Sequence, residues 1–225
     1  MEYRQLGRSG LRVSTLTLGT MTFGQPTTSA IGTVDEAGVR RQVDIALDAG
    51  VNLIDTANMY SIGASETLLG KVIKGRRDKL LLSTKVRFPM SGGVNDAGLS
   101  RHHILEQVEA SLTRLGTDHI DIYHVHEWDG QTPMEEYLET LDTLVKSGKV
   151  RYLGVSNFAG WQLMKALSVS DAHNWQRFVS NQIYYSLEGR DAEYELIPLS
   201  VDQGLGSKSQ RVCAGPTLRR GVGGG

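Results

Sequence analysis

Short apolar runs rich in branched side chains alternate along this chain with stretches in which apolar residues recur every three or four positions. That alternation is the signature of repeated βα units around parallel strands, which read as near-continuous apolar runs because both faces are covered. Five runs end in polar residues: 52–54 in Asp55, 80–84 in Lys85, 120–125 in His126, 152–155 in Ser156 and Asn157, and 178–181 in Gln182. An earlier strand is predicted at 16–18, ending at Gly19 and Thr20. If all belong to one parallel sheet, these polar side chains emerge together at its carboxyl-terminal rim, where α/β folds place their chemistry.

The helical stretches are equally readable. One places Val39, Val43, Ala46 and Leu47 on one face and stops at Gly50. Another shows Ile104, Leu105, Val108, Leu112 and Leu115 before Gly116, with Ser100 as its cap. A third opens with Thr132, Pro133 and Glu135, a predicted capping box with proline at the first helical position, and stops at Ser147-Gly148. Further helices are predicted after Ala64, after Asn157 and over 191–202. Residues 1–15, with Gly7, Ser9 and Gly10 between two short apolar segments, predict a hairpin able to plug one end of a barrel.

Spacing between Gly19, Asp55, Lys85, His126, Asn157 and Gln182 runs from 25 to 41 residues, near the ~31 expected for eight units in about 250 residues. A (β/α)8 TIM barrel fits that rhythm. The rival, a doubly wound nucleotide-binding sheet, requires G-x-G-x-x-G after the first strand, and Gly19 to Gly24 lacks its glycine pair. Residues 1–206 are therefore read as a partial barrel of about six βα units. Residues 207–225, without strand or helix period and ending in three glycines, are read as a separate disordered tail.

Composition narrows the partners. Of 225 residues 40% are hydrophobic and 22% charged, and no apolar run approaches the ~18 residues of a membrane span. The net charge is −1; residues 204–225 hold four basic residues and no acidic one, too few to make a nucleic-acid footprint. Neither nucleic acid nor membrane is expected as a partner. A start without a basic segment and apolar core, and a single cysteine, Cys213, predict a cytoplasmic protein.

The strand ends carry a chemistry. Tyr60 lies five residues past Asp55. A phenol that exchanges a proton near neutrality needs a neighbouring cation, which Lys85 is placed to supply, with Asp55 holding the lysine charged. His126 then stands beside a substrate oxygen as donor or relay. Each residue alone would pass as an ion pair, a loop aromatic or a helix cap; together they describe reduction of a carbonyl with protonation at oxygen. Trp128 is a candidate pocket wall or rim packing residue, and Trp161 and Trp175 are assigned to packing. No metal site is expected, although His124 and His126 should point the same way.

The run from Gly50 to Tyr60 with Gly63, Ser65, Glu66, Leu69 and Gly70 resembles the signature of the aldo-keto reductases. So do Ser83-Thr84-Lys85, the segment from Ser111 to Asp118 with Asp121, Tyr123 and His126, and the segment from Gly148 to Phe158. The likeness spans about residues 3–206 and is nearest to the bacterial and potassium-channel β-subunit-like branches. It implies a (β/α)8 barrel that binds NADP(H) without a Rossmann motif and reduces a small-molecule aldehyde or ketone. By motif, Tyr60 would be the general acid, Lys85 and Asp55 its tuning pair, and His126 the residue orienting the carbonyl. Ser156, Asn157 and Gln182 would hold the nicotinamide carboxamide, and Gly19, Thr20 and Met21 would line the cofactor. A redox-sensing or channel-associated subunit is the alternative on the same fold.

Past Gly206 the family pattern calls for a seventh strand with an aromatic on the nicotinamide, a loop clamping pyrophosphate and an eighth unit. The sequence of the tail does not follow it. Codons for residues 214–221 can be chosen so that a one-base shift reads as a glycine-rich loop, which suggests a shifted reading frame. A chain so truncated is expected to keep its acid-base residues and to bind NADPH weakly or not at all.

Overall fold

The computed structural model describes residues 1–24 and 32–210. A hairpin of β1 (Tyr3–Gln5) and β2 (Arg12–Ser14) comes first. Seven parallel strands follow in one sheet, in sequence order: β3 (Leu18–Gly19), β4 (Leu53–Asp55), β5 (Leu81–Val86), β6 (Ile120–Val125), β7 (Val150–Ser156), β8 (Phe178–Tyr184) and β9 (Gly206–Gln210). Between them run α1 (Glu36–Asp48), α2 (Ala64–Ile73), α3 (Arg101–Leu115), α4 (Met134–Lys146), α5 (Gly160–His173) and α6 (Leu196–Gln203).

The sheet is curled into most of a barrel, and side-chain contacts prove it. Laid flat, β4 and β9 would stand five strand spacings apart, about 24 Å. Yet Lys208 of β9 reaches Asp55 of β4 at 2.7 Å, and Gln182 of β8 reaches it at 3.2 Å. The interior is apolar at its amino end, where Leu53 and Ile122 pack with Leu6 and Val13 of the hairpin. Outside, two apolar layers join sheet to helices, one centred on Val39, Val43, Ile54, Leu69 and Leu82, the other on Ile104, Tyr123, Leu138, Leu141, Val155 and Leu163. Each such buried aliphatic side chain contributes about 1.5–3 kcal/mol. Where α2 crosses α3 the approach is so close that a Cβ on Gly70 would sit 2.4 Å from the Arg114 carbonyl, so only glycine fits there.

The elements follow the sequence pattern with four differences, one being that the helix expected over 191–202 splits into a 3-10 turn at Asp191–Glu193 and α6. In α3 Ser100 caps as expected, accepting from the His103 amide at 3.2 Å, but Leu105 is exposed and Ser111 takes a place on the buried face. Before α4 the capping box does not form. Asp129 accepts from the Thr132 amide and hydroxyl, so Thr132 donates its hydroxyl there and Pro133 stands at the cap position with no side-chain bond. The fourth difference is larger: residues 206–210, assigned in part to a disordered tail, form the seventh strand of the sheet. Gly-Ser-Lys-Ser-Gln has no apolar period; backbone pairing with β8 and the Lys208–Asp55 ion pair hold it. The rest of the predicted tail, with Cys213, lies outside the described residues.

Candidate functional site

Asp55, the last residue of β4, is almost wholly buried, and its carboxylate accepts four hydrogen bonds. Lys85 Nζ (2.7 Å) and Gln182 Nε2 (3.2 Å) donate to Oδ2, and Ser83 Oγ (2.8 Å) and Lys208 Nζ (2.7 Å) donate to Oδ1. Burial alone would raise this carboxyl, but Lys208 and Lys85 outweigh it and hold it well below the usual carboxylate range. Lys85, fully buried, also donates to the Thr56 carbonyl at 2.7 Å and stands 3.5 Å from the Tyr60 hydroxyl. Its ammonium is 5.1 Å from the Tyr60 ring centre.

Tyr60 begins a tight 3-10 turn, Tyr60–Gly63, in which Ser61 and Ile62 hold left-handed backbone (φ 49° and 52°). Such a conformation costs an L-residue about 1–2 kcal/mol and most a β-branched one. Ser61 Oγ compensates by donating to the Phe23 carbonyl at 2.9 Å, while the Ile62 side chain is 66% exposed. Ile62→Gly is therefore expected to stabilise the protein by about 1 kcal/mol, read as a higher urea midpoint. An unchanged or lower midpoint would show that the turn carries no such strain.

The chemistry of the strand ends predicted Lys85 as the cation beside the Tyr60 phenol; in the folded site two influences act in the opposite sense. Burial first, and the Asp55 charge second, push the phenol above its ordinary value. Lys85 is nearer to Asp55, at 2.7 Å, than to the hydroxyl, at 3.5 Å, and the protonated phenol that burial favours is a donor. His126, on β6's outlet, meets Tyr60 and Phe88 edge to face, with ring centres 6.0 and 4.9 Å apart. Its Nδ1 is buried without a partner among the described residues. Burial, then the Lys85 charge, push its pKa down to about 3.

That neutral, buried imidazole makes a pH prediction. The unfolded chain binds a proton on it near ~6.5 and the folded one only near about 3. Its contribution is thus complete above roughly pH 6.5 and drains away as pH falls toward the folded value, by up to about 1.4 kcal/mol per unit. Urea midpoints should hold above neutrality and fall steadily below it, less steeply in His126→Gln. A variant profile as steep as the parent's would refute the assignment to His126.

The other expected residues divide. Ser156 Oγ and Gln182 Oε1 are buried with no partner among the described residues. Asn157, with left-handed backbone (φ 55°), donates to the His126 carbonyl at 3.0 Å and accepts from Gln210 at 2.7 Å, so both ends of its amide are engaged. Gly19, Thr20 and Met21 line a cavity of about 740 Å³ with Asp55, Tyr60, Gln182 and Lys208. Thr20 is buried and bound by Ser65 Oγ at 3.0 Å, an anchoring contact. Trp128 packs on the sheet–helix core and edge to face on Trp161, 5.3 Å between centres. Trp161 is half exposed, whereas Trp175 packs on the core.

Lys208 is the residue sequence reasoning missed. The signal was a lysine two residues past Gly206, at the place where a seventh strand was due. Among the described residues no cluster of three or more His, Cys, Asp or Glu has a metal-binding arrangement, and no helix is long and apolar enough to cross a membrane.

A curled parallel sheet whose carboxyl rim carries a buried Lys–Asp pair near a tyrosine and a histidine defines a protein of the α/β-barrel class. The profile of the aldo/keto reductase family matches residues 15–222, and the chain belongs to that family. It is 45% identical over 97% of its length to "Uncharacterized oxidoreductase YrpG" of Bacillus subtilis, covering 68% of that protein. It is 38% identical over 91% of its length to versiconal hemiacetal acetate reductase of Aspergillus parasiticus (65% covered) and 36% identical to protein tas of Escherichia coli (66% covered). The chain spans about two thirds of the length of these relatives.

Proposed function

We propose that the rim residues of this chain serve the NADP(H)-dependent reduction of a small-molecule aldehyde or ketone to the alcohol, with the dinucleotide held weakly. One observation carries the reading: Tyr60, a protonated donor, stands between neutral His126 and the buried Lys85–Asp55 pair at the rim of the curled sheet. A carbonyl oxygen bound between Tyr60 and His126 would receive a hydrogen bond from each as negative charge grows on it, and the phenol would deliver its proton. Lys85 would then meet the new phenolate, with Asp55 fixing the ammonium in place.

The residues fit a nicotinamide. Ser156 Oγ can donate and Gln182 Oε1 can accept, the pair a carboxamide needs, and both are buried without partners. Each unmet polar group of this kind costs about 1–3 kcal/mol, a cost a ligand amide would relieve. Asn157 would join them on releasing Gln210, and Gly19 and Met21 would line the same cofactor. Bound there, the nicotinamide supplies the hydride. The phosphorylated dinucleotide is inferred from the family resemblance, as is the carbonyl substrate class, which accords with relatives named as a reductase and, in fission yeast, as a putative aryl-alcohol dehydrogenase.

The test is single-turnover oxidation of NADPH carrying two deuterons at C4 across a panel of aldehydes and ketones. Carbonyl-dependent oxidation with deuterium on the product's carbinol carbon is expected. Absence of any carbonyl-dependent oxidation across the panel would sink the reading.

A further inference from the structure

A line of hydrogen bonds crosses the inside of the curled sheet beneath Lys85 and His126. Ser83 Oγ donates to Asp55 Oδ1 at 2.8 Å and lies 3.1 Å from His124 Nδ1; His124 Nε2 lies 3.4 Å from Ser180 Oγ. All four residues are buried, Ser83 and His124 completely. The line joins β4, β5, β6 and β8 and passes over Gly154 of β7.

Proton positions in it are fixed by one end. Asp55 faces two lysines and accepts only, so the Ser83 hydroxyl hydrogen points at Oδ1. Ser83 Oγ then offers His124 a lone pair, and Nδ1 must carry the ring proton. The charged groups facing this imidazole are Lys208, Asp55 and Lys85, with His126 beside it; burial and the lysines disfavour a second proton. Nε2 is therefore an acceptor, and Ser180 donates to it.

Space for the ring is built in. His124 and Gly154 are register partners, and a Cβ on Gly154 would stand 2.4 Å from His124 Cδ2 and 2.5 Å from Nε2. Any side chain at 154 would drive the imidazole off the line.

We propose that His124 is a positioning residue: as the neutral Nδ1–H tautomer it holds Ser83, which turns Asp55 so that Oδ2 meets Lys85 beneath the Tyr60 hydroxyl. It acts through Ser83 and Asp55. The catalytic consequence rests on the function proposed above; the tautomer does not.

Two-bond 1H–15N correlation spectra of the 15N-histidine-labelled full chain test it, with the His124 signal found by its loss in His124→Gln. If that variant fails to fold, Ser83→Ala and Ser180→Ala find the signal by its shift. A neutral ring protonated on Nδ1 from about pH 5 to 8 is expected, becoming a tautomer mixture in Ser83→Ala and reverting in Ser83→Thr. Carbonyl reduction by Ser83→Ala should lose about tenfold in kcat with KM held, the worth of one hydrogen bond, and Ser83→Thr should recover it. An Nε2–H tautomer, a ring that titrates in that range, or a tautomer untouched by Ser83→Ala overturns the inference. Those spectra decide it even for a protein that reduces no carbonyl, so failure of the proposed function is told apart from failure of this one.

Discussion

Asp55→Asn should cost the protein about 3–5 kcal/mol of folding stability, the usual effect of removing one partner from a buried ion pair. The substitution keeps the shape and deletes the only charge that Lys85 and Lys208 are bonded to among the described residues. Lys85 retains the Thr56 carbonyl, so its ammonium is not wholly abandoned, but a carbonyl dipole does not replace a full charge. Lys208 keeps no other acceptor among the described residues and is already held below its ordinary pKa by burial, against the pull of Asp55. It should deprotonate once that pull is gone. Adding Lys208→Met should therefore recover part of the loss, because it removes the cation with the poorer alternative. Urea unfolding of the two variants beside the parent measures both effects. A loss in Asp55→Asn below ~1 kcal/mol, or no recovery in the double variant, would show that this carboxylate does not hold the four-stranded contact.

The same cluster marks where sequence reading succeeds and where it stops. Asp55, Lys85, His126, Asn157 and Gln182 were legible because buried parallel strands are contiguous apolar runs, and the polar residue closing each run must lie at the rim. Their convergence across β4 to β8 then follows from topology. Lys208 was not legible because β9 has no apolar run: it is held by pairing with β8 and by a contact 153 residues away in sequence. His124 is expected from strand alternation to point the same way as His126, but its partners are serines on β5 and β8, and only curvature of the sheet brings them together.

Local signals failed where a third residue intervened. Thr132 has the residue type and spacing of a helix cap, and Asp129 captures it with a stronger acceptor. Ser61 and Ile62 have no preference for left-handed backbone; the fold imposes it while placing Tyr60, and no propensity would have found that turn. The upward shift of Tyr60 is likewise set by a third residue. Pairing Lys85 with the phenol in sequence order ignores that Asp55 is nearer to the ammonium than the phenol is, and that Asp55 acts on the phenol as a negative charge.

Under the proposed function, Tyr60→Phe should lower the single-turnover rate of carbonyl reduction by about 10²–10⁴-fold, the range for loss of a positioned general acid. The fold should be untouched, since the hydroxyl's one intramolecular contact among the described residues is the long 3.5 Å approach of Lys85. NADPH affinity should change little for the same reason, so the loss belongs in the rate and not in binding. The parent's pH profile carries a second check. Burial and Asp55 keep the phenol protonated beyond its ordinary range, and His126 stays neutral down to about 3. Reduction should then run level from roughly pH 5 to 9, with no alkaline limb until the phenol itself ionises above its free value of ~10. An alkaline limb near neutrality that vanishes in Tyr60→Phe would mean that Lys85, not Asp55, governs the hydroxyl in the working enzyme. A Tyr60→Phe rate within threefold of the parent, by contrast, would require another proton donor at the rim, because burial and the Lys85 charge keep the His126 imidazole neutral, which suits it to hold the carbonyl oxygen by a hydrogen bond more than to act as an imidazolium acid.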